Sequence, residues 1–107
     1  MILQLWEIVD KATILKIKKE KGLPVGKQLD EWMAEAKKCD PELVRRTYEI
    51  NKLMWDMEDH ISKLFELNAW ETSGKAYHYL RALTHERTAI KNEIAKRYDK
   101  YKELKWY

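Results

Sequence analysis

Polar side chains interrupt an apolar stripe in the segment from residue 48 to residue 67, YEINKLMWDMEDHISKLFEL. At helical spacing this stripe consists of Val44, Tyr48, Met54, Ile61, Leu64 and Phe65. Asn51 and Glu58 lie in or beside it. A buried amide or carboxylate is costly unless it finds a hydrogen-bonding or charged partner. These two positions are therefore the first candidates for a functional site.

Similar interruptions occur in two other segments. Arg87 shares a helical stripe with Leu83 and Ile94, and Asp10 and Lys11 fall in the middle of an apolar N-terminal helix. The middles of long packed helices can meet, so we expect one polar set, composed of Asp10, Lys11, Asn51, Glu58, Asp59, Arg87 and Lys91. The expected ion pairs join Arg87 to Glu58, and Lys11 or Lys91 to Asp59 or Asp10.

This polar set has two interpretations. One is a buried salt-bridge network that fixes the register of the helices. The other is a pocket between helices for a small anionic, nucleotide-like ligand, lined by Lys11, Asn51, Trp55, Arg87 and Lys91. Lys18 shares a helix side with Lys11. The end of this helix carries Lys16, Lys18, Lys19 and Lys21, which predicts either a basic rim for a phosphate or a solvated helix end.

The carboxylates suggest an enzymatic alternative. Pairs one helical turn apart could hold Mg²⁺ through oxygen ligands, and these are Glu7 with Asp10 and Asp56 with Asp59. The pattern is similar to the acidic motifs of all-α nucleoside triphosphate pyrophosphohydrolases, although their more extended Glu-x-x-Glu pattern is absent. No motif for nucleophilic or Rossmann-type chemistry is present, and the histidines form no metal set with Cys39. Without Mg²⁺ chemistry, no cofactor is expected.

Composition limits the class of protein. The 107 residues are 45% hydrophobic and 36% charged, which predicts one helical domain over residues 1–107. The net charge of +3 comes from 21 basic and 18 acidic residues. Such a mixture tolerates anionic ligands and argues against recognition of duplex nucleic acid. The lone Cys39 favours a reducing, cytoplasmic setting, and neither a membrane-spanning run nor a signal peptide is evident.

Helical periodicity and turn signals predict an all-α bundle of three long helices and one short helix. The first helix covers about residues 2–20, residues 22–26 break it, and the short helix covers residues 28–38. Asp40, Pro41 and Glu42 form a helix start, and this central helix extends to about residue 67. A connection at residues 68–74 precedes the final helix, capped by Thr72 or Ser73.

The final helix is expected to extend to about Leu104. Its length of about 45 Å exceeds the width of a domain of this size. Part of it must project or pack against another subunit, so we expect a homo-oligomer. Trp6, Trp32 and Trp55 are expected in the core, whereas candidates for exposed contacts are Trp70, Trp106 and Tyr107.

Three segments resemble a known family: IVDKATILKIK at residues 8–18, NKLMWDMEDHI at residues 51–61 and THERTAIKNEI at residues 84–94. They are similar to the domain of unknown function 6165 family of small helical bacterial and phage proteins. The resemblance singles out Asp10, Lys11, Lys18, Asn51, Trp55, Asp56, Glu58, Asp59, Arg87, Lys91 and Glu93, and the chain departs from the family pattern at Thr84 and His85.

The family has no assigned activity, so the resemblance strengthens the site and leaves its chemistry open. Size, composition and resemblance together suggest a phage protein in a bacterial host cell. Sequestration of a nucleotide signal of host immunity would fit these features. A purely structural interaction module, in which Arg87 and Glu58 neutralise each other, is a further alternative.

Overall fold

Residues 4–98 of the protein form a bundle of four helices. The computed structural model describes residues 4–98, and within them the chain forms α1 (Leu5–Glu20), α2 (Gln28–Ala36), α3 (Pro41–Glu66) and α4 (Trp70–Tyr98), with no strand. The predicted all-α architecture, with three long helices and one short one, is confirmed. The predicted first residues of the first helix, the predicted helix end at Leu104, and the predicted contacts of Trp106 and Tyr107 lie outside the described residues.

Helix α1 lies between α2 on one side and the pair α3 and α4 on the other. Its buried side chains include Val9, Ala12 and Ile17, which supply much of the core. Gly22 adopts a φ of +80°, in the left-handed region that favours glycine, and there the chain turns toward α2. Helix α2 ends two residues before the predicted boundary.

The predicted start of α3 is confirmed. The Asp40 side chain accepts a hydrogen bond from the backbone N–H of Glu42 at 2.9 Å, and Pro41 occupies the first helical position. An N–H at that position would have no partner within the helix, so proline is tolerated there.

The inner face of α3 differs from the predicted stripe. The buried residues are Leu43, Thr47, Ile50, Asn51 and Ile61. Of the predicted stripe only Ile61 is buried, and Phe65 is 46% exposed. The difference arises because α3 packs against both α4 and α1. The α3 side chains that face these two helices are therefore the most buried.

The predicted start of α4 is wrong. This helix begins at Trp70 rather than after Thr72 or Ser73, and Gly74 lies inside it. Asn68, with a φ of 57°, ends α3 in a left-handed conformation. The N–H of Ala69 then donates to the carbonyl of Leu64 at 2.9 Å, which is the Schellman closure of a helix end. The connection is therefore only residues 67–69.

Gly74 and Gly22 should respond oppositely to alanine. A Cβ at either position meets no atom within 4 Å, so packing does not distinguish them. Gly74 is helical, and Gly74→Ala is expected to raise the free energy of unfolding by about 1 kcal/mol. Gly22→Ala is expected to lower it by a similar amount, because alanine is strained at positive φ. Urea unfolding monitored by circular dichroism measures both changes, and destabilisation by Gly74→Ala would contradict the assigned start of α4.

The α3–α4 hairpin extends past α1. The Cα radius of gyration is 16.0 Å, compared with about 13 Å for a compact domain of this length. The ion pair of Lys21 with Asp56 at 2.9 Å fixes the end of α1 on α3. Toward the tip of the hairpin, Leu67 is 76% exposed and Trp70 is 60% exposed, as predicted for Trp70. No helix within residues 4–98 has both the length and the apolar character needed to cross a membrane.

Candidate functional site

Side chains from three helices form a hydrogen-bonded cluster, which we call the polar network: Asp10, Thr13, Asn51 and Arg87. Arg87 Nε donates to Asn51 Oδ1 at 3.0 Å, and Arg87 Nη2 donates to Asp10 Oδ2 at 2.5 Å. Asn51 Nδ2 donates to Asp10 Oδ1 and to Thr13 Oγ1, both at 3.0 Å. The network therefore connects α1, α3 and α4 near their middles, as the sequence predicts for Asp10, Asn51 and Arg87.

The inner part of the network is fully hydrogen-bonded. Asn51 is 7% exposed and Thr13 is 1% exposed. The Asn51 amide has one favourable orientation, because the reverse would place its N–H₂ against the Arg87 guanidinium. Thr13 Oγ1 also donates to the carbonyl of Asp10 at 2.8 Å. Solvent reaches the network only at its outer edge, where the Arg87 and Asp10 side chains are 31% and 19% exposed.

The predicted pairing of Arg87 with Glu58 is wrong. Helices α3 and α4 are antiparallel, which brings Arg87 level with Asn51, whereas Glu58 lies two turns further along α3 and is exposed. Asp10 is the carboxylate that reaches the guanidinium. Asp59 is also exposed, and within residues 4–98 neither Lys11 nor Lys91 forms an ion pair with Asp59 or Asp10.

The predicted lysines lie on tryptophan rings instead. Lys91 Nζ is 4.2 Å from the centroid of the Trp6 ring, and Lys11 Nζ is 4.7 Å from that of Trp32. Such contacts bury the alkyl chain and place the ammonium over the negative face of the ring. These lysines therefore keep their charge at the surface of the bundle rather than in its interior.

Within residues 4–98, neither Trp55 nor Lys18 hydrogen-bonds to the polar network. Trp55 is near Lys21, whose Nζ is 5.9 Å from the ring centroid and hydrogen-bonds Asp56. That hydrogen bond raises the pKa of Lys21. Lys18 is half-buried near the end of α1 and makes no hydrogen bond to the network. The predicted ligand-lining set is thus divided between separate places on the bundle.

The four carboxylates of the predicted Mg²⁺ site are not brought together. Asp10 is bound to Arg87 and Asn51, and Asp56 is bound to Lys21. Across residues 4–98, no three His, Cys, Asp or Glu residues are close enough to hold a metal ion. Spacing along the chain places the two carboxylates of each pair on one helix face. It does not bring the two pairs together, because Asp10 lies beside Asn51 whereas Asp56 lies beside Lys21.

A cavity of about 10 Å³ adjoins the network, lined by Trp6, Asp10, Thr47, Ile50, Arg87, Ile90, Lys91 and Ile94. A single water needs roughly 10–15 Å³, so this space cannot hold a nucleotide. At this position, residues 4–98 enclose no interior space of the size that the predicted ligand needs. A ligand larger than a water molecule could reach the network from its outer edge, beside Arg87, Lys91 and Trp6.

Comparison of the chain with protein-family models, curated proteins and solved structures finds no match. The likeness to the domain of unknown function 6165 family thus remains a prediction. The network takes one or more residues from each of the three segments that carry this likeness: Asp10 and Thr13, Asn51, and Arg87. Sequence reasoning missed Thr13, although its position one turn after Asp10 places it on the same helix face.

Proposed function

We propose that this protein is a non-enzymatic binder of a small anionic ligand, which it holds at the outer edge of the polar network between α1 and α4. The supporting observation is a pair of neighbouring cations. Arg87 and Lys91 lie on successive turns of α4, with Trp6 of α1 beside them in the wall of one cavity. Both are only partly exposed.

One of the two cations at this edge is without an ion-pair partner in the described residues. Asp10 neutralises Arg87, but within residues 4–98 Lys91 has no carboxylate partner. Glu7, next to Trp6 on α1, forms no ion pair with either cation in that part of the chain. A bound anion would supply the negatively charged partner that Lys91 lacks.

The donors favour a phosphate group. Arg87 uses Nε and Nη2 in the network, and its Nη1 makes no hydrogen bond within the described residues. An arginine N–H and a lysine ammonium one helical turn apart can contact different oxygens of one phosphate. Lys91 covers one face of Trp6, so recognition would depend on the phosphate more than on base stacking.

Isothermal titration calorimetry with the full chain tests this proposal. The probes are inorganic phosphate, nucleoside monophosphates and triphosphates, and cyclic dinucleotides. Lys91→Met removes the charge but retains packing on Trp6, and it is expected to weaken binding by about 10- to 100-fold. Lys96→Met removes the same charge from an exposed position of the same helix, and it should leave the affinity within about twofold.

Two results would refute the proposal. One is the absence of heat with every probe at millimolar concentration. The other is an equal loss of affinity in Lys91→Met and Lys96→Met, which would indicate attraction by net charge alone. Binding restricted to the cyclic dinucleotides would support the narrower role of sequestering a nucleotide signal.

A structural interaction module without a ligand is the second candidate. It is favoured by the completeness of the inner network, in which Asp10, Asn51, Thr13 and Arg87 satisfy one another. The expected result is strong thermodynamic coupling between Asp10 and Arg87 together with no binding of any anionic probe. Hydrolysis by Glu7, Asp10, Asp56 and Asp59 is not proposed, because these groups are not assembled.

A further inference from the structure

A groove of about 180 Å³ lies where the end of α2 meets the start of α3. Its lining consists of Met33, Ala36, Lys37, Cys39, Pro41 and Val44. Ala36 and Cys39 are buried, whereas Met33 and Val44 are half-buried. The groove is therefore an apolar depression in the surface of the bundle, with the exposed Lys37 at its rim.

The size of the groove suits one aromatic ring. An apolar cavity of about 150 Å³ is large enough to bind a molecule of benzene. A ring in the groove would also contact Met33, and the thioether of methionine packs favourably against aromatic side chains. An aromatic side chain is thus the occupant that this space fits best.

The end of α4 lies beside the groove. Arg97 Nη1 donates to Asp40 Oδ2 at 3.1 Å, and the backbone N–H of Asp40 donates to Tyr98 Oη at 3.0 Å. Asp40 is the residue between Cys39 and Pro41, which both line the groove. The described part of the chain therefore ends next to this depression.

Residues 99–107 continue the chain from that point, with the sequence DKYKELKWY. Trp106 is eight residues after Tyr98. Eight residues span about 26 Å when extended and about 12 Å when helical. Since α4 already contacts Asp40, either length allows Trp106 to reach the groove.

We infer that Trp106 of the same chain packs into this groove and holds the end of α2 against the start of α3. The inference goes beyond the proposed anion binding and does not depend on it. Helix α2 packs chiefly against α1. A ring between Met33 of α2 and Val44 of α3 would give α2 a second attachment to the bundle.

The rim of the groove favours tryptophan over the tyrosines of the same segment. A cation binds the face of an indole more strongly than that of a phenol. Lys37 is placed to lie over such a ring, and the same chain already places Lys11 Nζ 4.7 Å from the centroid of Trp32.

The charges beside the groove also fit the segment. Asp30 is exposed on α2 one turn before Met33, and among the described residues it forms no ion pair. Residues 99–107 have a small excess of positive charge, from Lys100, Lys102 and Lys105 against Asp99 and Glu103. A lysine of this segment would therefore find an unpaired carboxylate near the groove.

NMR spectra of the full chain with isotope-labelled methionine methyl groups test the inference. A nearby aromatic ring displaces a methyl signal, so Trp106→Ala is expected to move the signal of Met33. The signal of Met57, about 20 Å further along α3 than Val44, should stay in place. Trp70→Ala removes a tryptophan that is 60% exposed at the tip of the hairpin, and this matched control should leave the Met33 signal unchanged.

Two further measurements keep the test independent of how one variant folds. Trp106→Phe retains a ring, and its Met33 signal should lie closer to the wild-type position than that of Trp106→Ala. In the wild type, a nuclear Overhauser effect is expected between the indole of Trp106 and the methyl group of Met33. Circular dichroism checks that each variant is folded.

Several results would overturn the inference. One is the same Met33 signal in the wild type and in folded Trp106→Ala, and another is an equal displacement in Trp70→Ala. Absence of the nuclear Overhauser effect would also overturn it. A Met33 displacement that disappears on dilution would assign the ring to another copy of the chain instead. These variants leave Arg87, Lys91 and Trp6 unaltered, so this inference and the proposed anion binding can fail separately.

Discussion

Asn51→Leu is expected to lower the free energy of unfolding by about 3 kcal/mol. Leucine has the same number and branching of side-chain heavy atoms as asparagine, so the change removes hydrogen bonds without opening a cavity. It removes the acceptor of Arg87 Nε and the donor to Asp10 and Thr13. Asn51 is 7% exposed and Thr13 is 1% exposed, so water cannot easily replace the hydrogen bonds lost at the inner end of the network.

Chemical denaturation of Asn51→Leu and of Asn92→Leu provides the measurement and its control. Asn92 is exposed on α4, and leucine there should change the free energy of unfolding by about 0.5 kcal/mol or less. A loss below about 1 kcal/mol in Asn51→Leu would mean that the network does not stabilise the bundle.

The second large effect on stability is expected from the ion pair between Arg87 and Asp10. Arg87→Met and Asp10→Leu are each expected to lower the free energy of unfolding by about 2 kcal/mol. Each single change leaves a charged partner without its counterion. The partial exposure of the two side chains, 31% and 19%, keeps the loss below that of a fully buried pair. The double variant should lose about 1–2 kcal/mol less than the two single losses together.

A parallel double-mutant cycle on Arg46 and Glu93 serves as the reference. That pair also connects α3 with α4, at 3.2 Å, but its side chains are 43% and 37% exposed. Its coupling is expected to be roughly 0.5 kcal/mol or less. Equal coupling in the two cycles would show that Arg87 and Asp10 behave as an ordinary surface ion pair.

Local signals in the sequence determine some helix ends and not others. The start of α3 was predictable because Asp40 and Pro41 act on their own neighbours in the chain. The start of α4 was missed because Gly74 resembles a turn residue. Asn68 carries the turn instead, through a left-handed conformation and the hydrogen bond from Ala69 to Leu64. Asparagine adopts the left-handed conformation more readily than most residues, so Asn68 was the signal in the sequence for the end of α3.

The convergence of Asp10, Asn51 and Arg87 was predictable because each is a polar residue on an apolar helix face. The partner of Arg87 was not, since Glu58 and Asp10 are both carboxylates on suitable faces. The choice between them depends on how far one helix slides along another. Packing of whole helices sets that register, and no local pattern reports it. Because the register of the helices could not be predicted, Trp55 was predicted to line the site, whereas in the structure its ring lies near Lys21.

The short connection at residues 67–69 also bears on the order of folding. It joins two antiparallel helices whose contacts form without closing a long loop, so the hairpin can assemble early. Helix α1 must be recruited across 41 positions to reach Asn51 and across 77 positions to reach Arg87. Contact order therefore predicts that α1 docks after the hairpin has formed and detaches before the hairpin opens. A chain caught at that stage would display Val9 and Ala12 to water while the hairpin persisted.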